Sequence, residues 1–206
     1  MAHRTVVFSV VGWMADYRGP TGDDPAPEGG GRFTRERVGY EAWNFLGVNG
    51  NCYAFVTTSS KVGGINLKRV HPESSGAQVD DALLVFLSRV PAESQHPSRR
   101  MLPSLIGEGV RVVGWYRECS LFSSGKKIDR AGEQGQFNYE YNARCSASNA
   151  FWVPVSERKE VGIDLSGPGG IGRNRVRYPI TAGGQYDSYF SDPSTWVGMV
   201  LKYIET

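Results

Sequence analysis

Ala82-Leu-Leu-Val-Phe-Leu87 and Val110-Arg-Val-Val-Gly-Trp-Tyr-Arg117 decide the fold. The first is a continuous apolar run entered from Asp80-Asp81, long enough for a buried strand and too short for a core helix. The second is rich in β-branched and aromatic residues, which pack well on a pleated surface. Between them lies a polar excursion over residues 91–109 with no sustained period. Upstream, Thr5-Val-Val-Phe-Ser-Val-Val-Gly-Trp-Met14 reads as another buried strand, ending in the turn Asp16-Tyr-Arg-Gly-Pro20. A Gly/Pro-rich loop over residues 17–33 follows, long enough to be suspected of function.

The same reading extends to the rest of the chain. Thr34 can cap a short helix with apolar positions at Val38, Ala42 and Phe45. Asn49-Gly50-Asn51 is a hairpin signal, with Cys52-Tyr-Ala-Phe-Val56 as the returning strand. Gly63-Gly64 leads to a short strand over Ile65–Val70. Phe137–Arg144 and Ala150–Val155 add two more strands. In the tail, Asp192 can cap, Pro193 suits a first turn, and Trp196, Val197, Val200, Leu201 and Ile204 share one helical face. The expectation is an α+β fold, mainly β: a curved sheet or small β-barrel with short helices and a C-terminal helix, as one domain over residues 1–206.

Composition agrees with strands and turns. The chain carries 26 glycines in 206 residues, nearly twice the usual share of about 7%. Its 23 basic and 21 acidic side chains leave a formal charge of +2, which excludes a polyanion binder driven by a charged tail but not a local basic groove. No apolar stretch approaches the roughly 20 residues of a membrane span. The run Val6–Val11 is short for a secretory signal, and no small-residue cleavage site follows it. Cys52, Cys119 and Cys145 are widely spaced, with no CxxC pair, and the histidines His3, His71 and His96 are scattered. Buried thiols in a cytoplasmic protein are expected, with no metal and no cofactor.

Catalytic signatures are missing: there is no GxSxG, Walker loop, HExxH or HNH-like spacing. Gly167-Pro-Gly-Gly-Ile-Gly-Arg173 lacks a βαβ context and reads as a turn or a source of exposed backbone N–H groups. After it comes Arg173-Asn-Arg-Val-Arg177. If extended, this segment places Arg173, Arg175 and Arg177 on one face about 7 Å apart, a spacing that suits successive phosphates. The plain alternative is a solvated strand face balanced by acids. Three aromatic groups stand beside glycine or an amide: Gly12-Trp13-Met14, Trp43-Asn44-Phe45 and Gly114-Trp115-Tyr116. Glycine in a strand permits close approach of a ligand or another backbone, rings supply stacking surfaces, and Asn44 offers an amide to a base edge. The plain alternative is that these rings fill a core. Asp16, Glu41 and Asp187 are carboxylates flanked by aromatics and able to act as general acids or bases in an apolar cleft.

Val11-Gly-Trp-Met14, Gly29-Gly-Gly31, Glu41-Ala-Trp-Asn-Phe45, Tyr53-Ala-Phe-Val56 and Val113-Gly-Trp-Tyr116, in this order, resemble a family of bacterial N-terminal domains often followed by an HNH-type nuclease. Those domains look like specificity modules of modification-dependent restriction proteins. Gly170-Ile-Gly-Arg-Asn174 with Tyr178 resembles a glycine-asparagine motif near their end. Leu83–Ser88 and Val112–Tyr116 are similar to the central strand pair of EVE and other PUA-like domains, which hold a flipped base in an aromatic pocket. The resemblance implies a reader of a modified base in DNA, a cytosine derivative such as 5-methylcytosine, within a restriction or anti-phage system. A nuclease domain or subunit is the implied partner.

The expected base pocket comprises Trp13, Tyr17, Trp43, Asn44, Phe45, Trp115 and Tyr116. The expected phosphate contacts are Arg173, Asn174, Arg175 and Arg177, and no residue is assigned a catalytic role. Two other functions compete with the reader. One is an enzyme acting on a nucleobase or glycosidic bond through Asp16 or Glu41; the other is an interaction domain whose aromatics are all core.

Overall fold

Strands β4 (Gln78–Arg89) and β5 (Val110–Arg130) form the centre of the sheet, as their sequences require. The coordinates are a computed structural model and describe residues 5–28, 39–56, 58, 64–89, 109–130, 137–158, 160 and 175–205. The other strands are β1 (Val6–Val11), β2 (Gly47–Val48), β3 (Asn51–Ala54), β6 (Phe137–Ser146), β7 (Ala150–Trp152) and β8 (Val176–Arg177). They form one mixed eight-stranded sheet in the order β2-β3-β6-β5-β4-β1-β8, with β7 beside β5. Among the described strands only β1 and β4 run parallel, from Val6 opposite Leu83 to Val11 opposite Ser88.

The fold is therefore mainly β with a single α-helix among the described residues. Among the described residues the sheet is open, so the barrel alternative is corrected: β2 and β8 end the strand path without pairing to each other.

Period-two alternation divides the apolar residues between two faces. Val7, Val11, Leu84, Phe86, Val113 and Tyr116 enter one cluster; Val6, Phe8, Val85, Leu87, Val112 and Trp115 belong to the other. Helix α1 (Trp196–Glu205) covers the second face through Trp196, Val197, Val200, Leu201 and Ile204. Each such side chain contributes about 1.5–3 kcal/mol of burial, which fixes a ten-residue helix too short to stand alone. Its cap is Thr195, whose Oγ1 accepts from Gly198 N at 3.2 Å. The expected cap, Asp192, instead accepts from Ser194 N at 2.8 Å and closes the preceding turn.

Register shifts break the β4–β5 ladder between Val79 and Ala82, between Ala82 and Leu84, and between Phe86 and Leu87. Asp81 (φ 55°) and Glu118 (φ 48°) take left-handed backbone at these irregularities. Such bulges bend and twist a strand, and they let β5 pair with β4 over its first half and β6 over its second.

The hairpin turns at Asn49-Gly50 as expected, joining β2 to β3. The strand expected over Ile65–Val70 is instead a 3-10 turn, Leu67–Arg69. Arg69 N bonds Asn66 O there, and its Nε bonds Ile180 O at 2.9 Å, so the segment ties to the tail rather than to a strand. The expected helix cap Thr34, most of the glycine-rich loop's second half, and residues 91–108 lie outside the described residues. No helix among the described residues is long and apolar enough to cross a membrane.

Candidate nucleic-acid interface

The segment Gly39–Leu46 winds as a 3-10 turn around the helix Tyr40–Trp43, with Ala42 N bonding Gly39 O, Asn44 N bonding Glu41 O, and Leu46 N bonding Trp43 O. Three residues per turn make positions i and i+3 eclipse. The segment therefore presents three rows: the half-buried rings Tyr40 and Trp43, the buried polar pair Glu41 and Asn44, and the apolar pair Ala42 and Phe45. The apolar row anchors the turn. Phe45 meets Phe86 and Tyr116 edge-on, with ring centroids 5.3 and 5.5 Å apart. A Cβ on Gly114 would collide with the Phe45 ring, so the glycine before Trp115 makes room for this ring.

The aromatic row stands against Tyr139 of β6. Tyr40 and Trp43 lie edge-on to it at 5.6 and 6.2 Å, and Tyr40 also meets Phe55 at 5.4 Å. Asn44 holds the end of β3 in place: its Oδ1 accepts from Phe55 N at 3.0 Å and from Tyr139 Oη at 3.3 Å. Asn142 fixes the next residue with two bonds, accepting from Val56 N at 2.7 Å and donating to Val56 O at 2.8 Å. Asn44 Nδ2 is buried and bonds nothing among the described residues. An unpaired buried donor costs about 1–3 kcal/mol, so this amide is a group in want of an acceptor.

Glu41 is equally enclosed. Its Oε1 accepts from Gly12 N at 3.0 Å, and Oε2 bonds nothing among the described residues. Burial pushes its carboxyl pKa up, opposed by the Gly12 N–H and the charge of Arg175. Gly12 is needed here because a Cβ would sit 2.7 Å from Pro27 Cβ and 2.9 Å from Glu41 Oε1. The loop beyond it is locked by Arg158, which donates from Nε to Val153 O, from Nη1 to Met14 O and from Nη2 to Ala15 O. Arg158 also lies over the Trp13 ring at 4.7 Å. At the rim, exposed Arg18 bonds Asp16 through Nε at 2.8 Å and stacks over half-buried Trp152 at 5.0 Å.

The expected pocket residues separate into three groups. Trp43 and Asn44 sit together on the turn. Trp13, Tyr17, Tyr116 and Phe45 lie nearby but are interior, with the first three fully buried. Tyr17 Oη donates to Gly12 O at 2.6 Å, which makes it a strut for the loop. Trp115 is on the opposite face, stacked on Phe151 and edge-on to Tyr203 of α1. Adjacent strand residues point to opposite faces, so Trp115 and Tyr116 do not line one cavity. The space beside Gly12 and Gly114 is filled by the protein itself, including the backbone oxygens of Glu28 and Phe151, so of the ligand and the second backbone that the sequence allowed it is the second.

The arginine row is also corrected. Arg173 and Asn174 lie outside the described residues. Arg175 has φ 52°, so the backbone is not extended there and the period-two premise fails. Its charge acts on Glu41, on the loop face. Arg177 pairs with Asp187 and lies over Tyr189 and Trp196, on the α1 face.

Sequence reasoning missed Tyr40, Tyr139, Phe55, Asn142 and Arg158. Tyr139 stood in the alternating Phe137–Arg144 segment, but nothing in that pattern says which turn its ring will face. Among the described residues no three metal-ligating side chains converge. Comparison with family models, curated proteins and solved structures finds no match to the chain.

Proposed function

We propose that the chain is a DNA-binding reader, PUA-like in character, that takes an unstacked modified base, a cytosine derivative, against the turn Tyr40–Asn44. The observation that carries this reading is the Asn44 amide: a buried, unpartnered donor one residue from a half-buried tryptophan. Stacking on Trp43 and Tyr40 would offset the few kcal/mol of unstacking, and Asn44 Nδ2 would donate to the base edge. Arg18, stacked on Trp152 at the rim, is paired with Asp16 and stands outside the phosphate set. Arg177 is removed from the phosphate set by its pairing with Asp187; Arg175 stays in it. The implied partner remains a nuclease domain or subunit in a restriction setting.

The test is a binding titration with duplexes carrying 5-methylcytosine, 5-hydroxymethylcytosine or plain cytosine, at two salt concentrations. Trp43→Ala should weaken binding of the preferred modified duplex by about 1–3 kcal/mol and leave unmodified duplex nearly unchanged. Trp115→Ala, on the other face, should leave the discrimination intact in protein that remains folded. Equal losses on modified and unmodified DNA from Trp43→Ala would overturn the reading.

One observation favours a second reading, an enzyme acting on the base or its glycosidic bond: the buried Glu41 carboxyl has the raised pKa that general acid chemistry uses. Release of free base from the bound duplex, abolished by Glu41→Gln, would select it.

A further inference from the structure

Resting on the base-reading proposal, we infer that Glu41 and Asn44 form one recognition row that selects bases carrying an exocyclic amino group beside a ring acceptor. The argument starts from the turn. Positions 41 and 44 share one row of the 3-10 winding, next to the aromatic row of Tyr40 and Trp43. Both side chains are buried, at 3% and 0% relative exposure, and each has one polar atom unbonded among the described residues: Oε2 of Glu41 and Nδ2 of Asn44.

The other atom of each pair is already committed. Glu41 Oε1 holds Gly12 N, and Asn44 Oδ1 holds Phe55 N and Tyr139 Oη. Those bonds fix the two side chains and leave a carboxyl oxygen and an amide N–H as the spare functions. A carboxylate accepts from an amino group, as in acidic contacts to cytosine N4, and an amide N–H donates to a ring nitrogen or carbonyl. Cytosine and adenine present both functions on one edge. Thymine and uracil place a carbonyl where the amino group stands, and that carbonyl would face the carboxylate oxygen with no proton between them. Burial favours the protonated Glu41 carboxyl and Arg175 opposes it; the amino group of a bound base would add to that opposition and draw the carboxyl towards the ionised form that this recognition needs.

The experiment uses the full chain and short duplexes with one central nucleotide opposite an abasic site, so that its base leaves the stack freely. Central cytosine, adenine, thymine and uracil are compared for the unmodified protein, Glu41→Gln and Glu41→Asp. The inference expects cytosine and adenine to bind at least about tenfold more tightly than thymine and uracil, the scale of one hydrogen-bonded base contact. Glu41→Gln, which can donate as well as accept, should reduce that preference to about threefold or less while thymine binding holds. Unchanged preference in Glu41→Gln would overturn the role of Glu41, as would equal binding of all four bases by the unmodified protein. Glu41→Asp keeps the charge and shortens the reach, so it should retain the sign of the preference with lower affinity; reversal would also count against the inference. Indifference to the central base together with indifference to Trp43→Ala would instead defeat the base-reading proposal itself.

Discussion

On the α1 face, Val6, Phe8, Val85 and Leu87 meet Trp196, Val197, Val200 and Ile204 in an apolar layer sealed by a helix. On the loop face, the core is interrupted by Ser9, Glu41, Asn44, Ser88 and Arg158, all buried. Ser88 donates to Val11 O and Arg158 to three carbonyls, while Glu41 and Asn44 each keep an unpaired atom. The first face is built to hold the sheet. The second keeps polar side chains inside it. That difference separates Trp115 from Trp43, two tryptophans with similar sequence surroundings.

The largest effect should come from the α1 face. Trp196→Ala removes the ring that meets Phe8 at 4.9 Å and should destabilise the fold by about 3–5 kcal/mol in a denaturant titration. Base discrimination should be unchanged wherever the variant is folded. A loss of discrimination without a loss of stability would erase the distinction between the faces.

Next is Arg158→Met, which keeps bulk over Trp13 but strands three carbonyls. It should cost about 3 kcal/mol and speed amide exchange at Trp13 and Glu28, whose backbone groups bond each other at the neck of the loop. Undisturbed exchange there would mean that the loop does not depend on this latch.

The smallest effect has the opposite sign. The folded-state pKa of Glu41 is raised, so its contribution to stability is fully present below the unfolded carboxyl pKa and is lost as pH rises through the folded value. The groups acting on it are Gly12 N–H and Arg175, both opposing the effect of burial. Glu41→Gln should therefore match the unmodified protein near pH 4 and exceed it by about 1 kcal/mol at pH 8, read as Tm against pH. A variant less stable at pH 8 than at pH 4, relative to the unmodified protein, would show that the carboxylate is well accommodated.

Much of the sheet was legible from residues 82–87 and 110–117, because a short apolar or β-branched run has few ways to bury itself. The Asn49-Gly50 hairpin and the C-terminal helix were legible for the same local reasons. The site was only half legible. Trp43-Asn44 stood out as a ring beside an amide, but Trp115 carried the same signature and went to the other face. The arginine segment failed through one dihedral angle: left-handed backbone at Arg175 breaks the alternation that its spacing assumed.

Sequence alone determined where the central strands, the Asn49-Gly50 hairpin and the C-terminal helix would form, since these follow from side-chain period and turn chemistry within a few residues; it misread Ile65–Val70. It also determined that the chain would have to bury several large rings. Only the tertiary structure decided which rings became interior, which face each side chain took after the β-bulges of β4 and β5, and that Glu41 and Asn44 would be enclosed with one atom each unpaired. Burial and partnership are properties of pairs of residues far apart in the chain, such as Gly12 with Glu41 and Asn44 with Tyr139, and no local pattern encodes the meeting of such pairs.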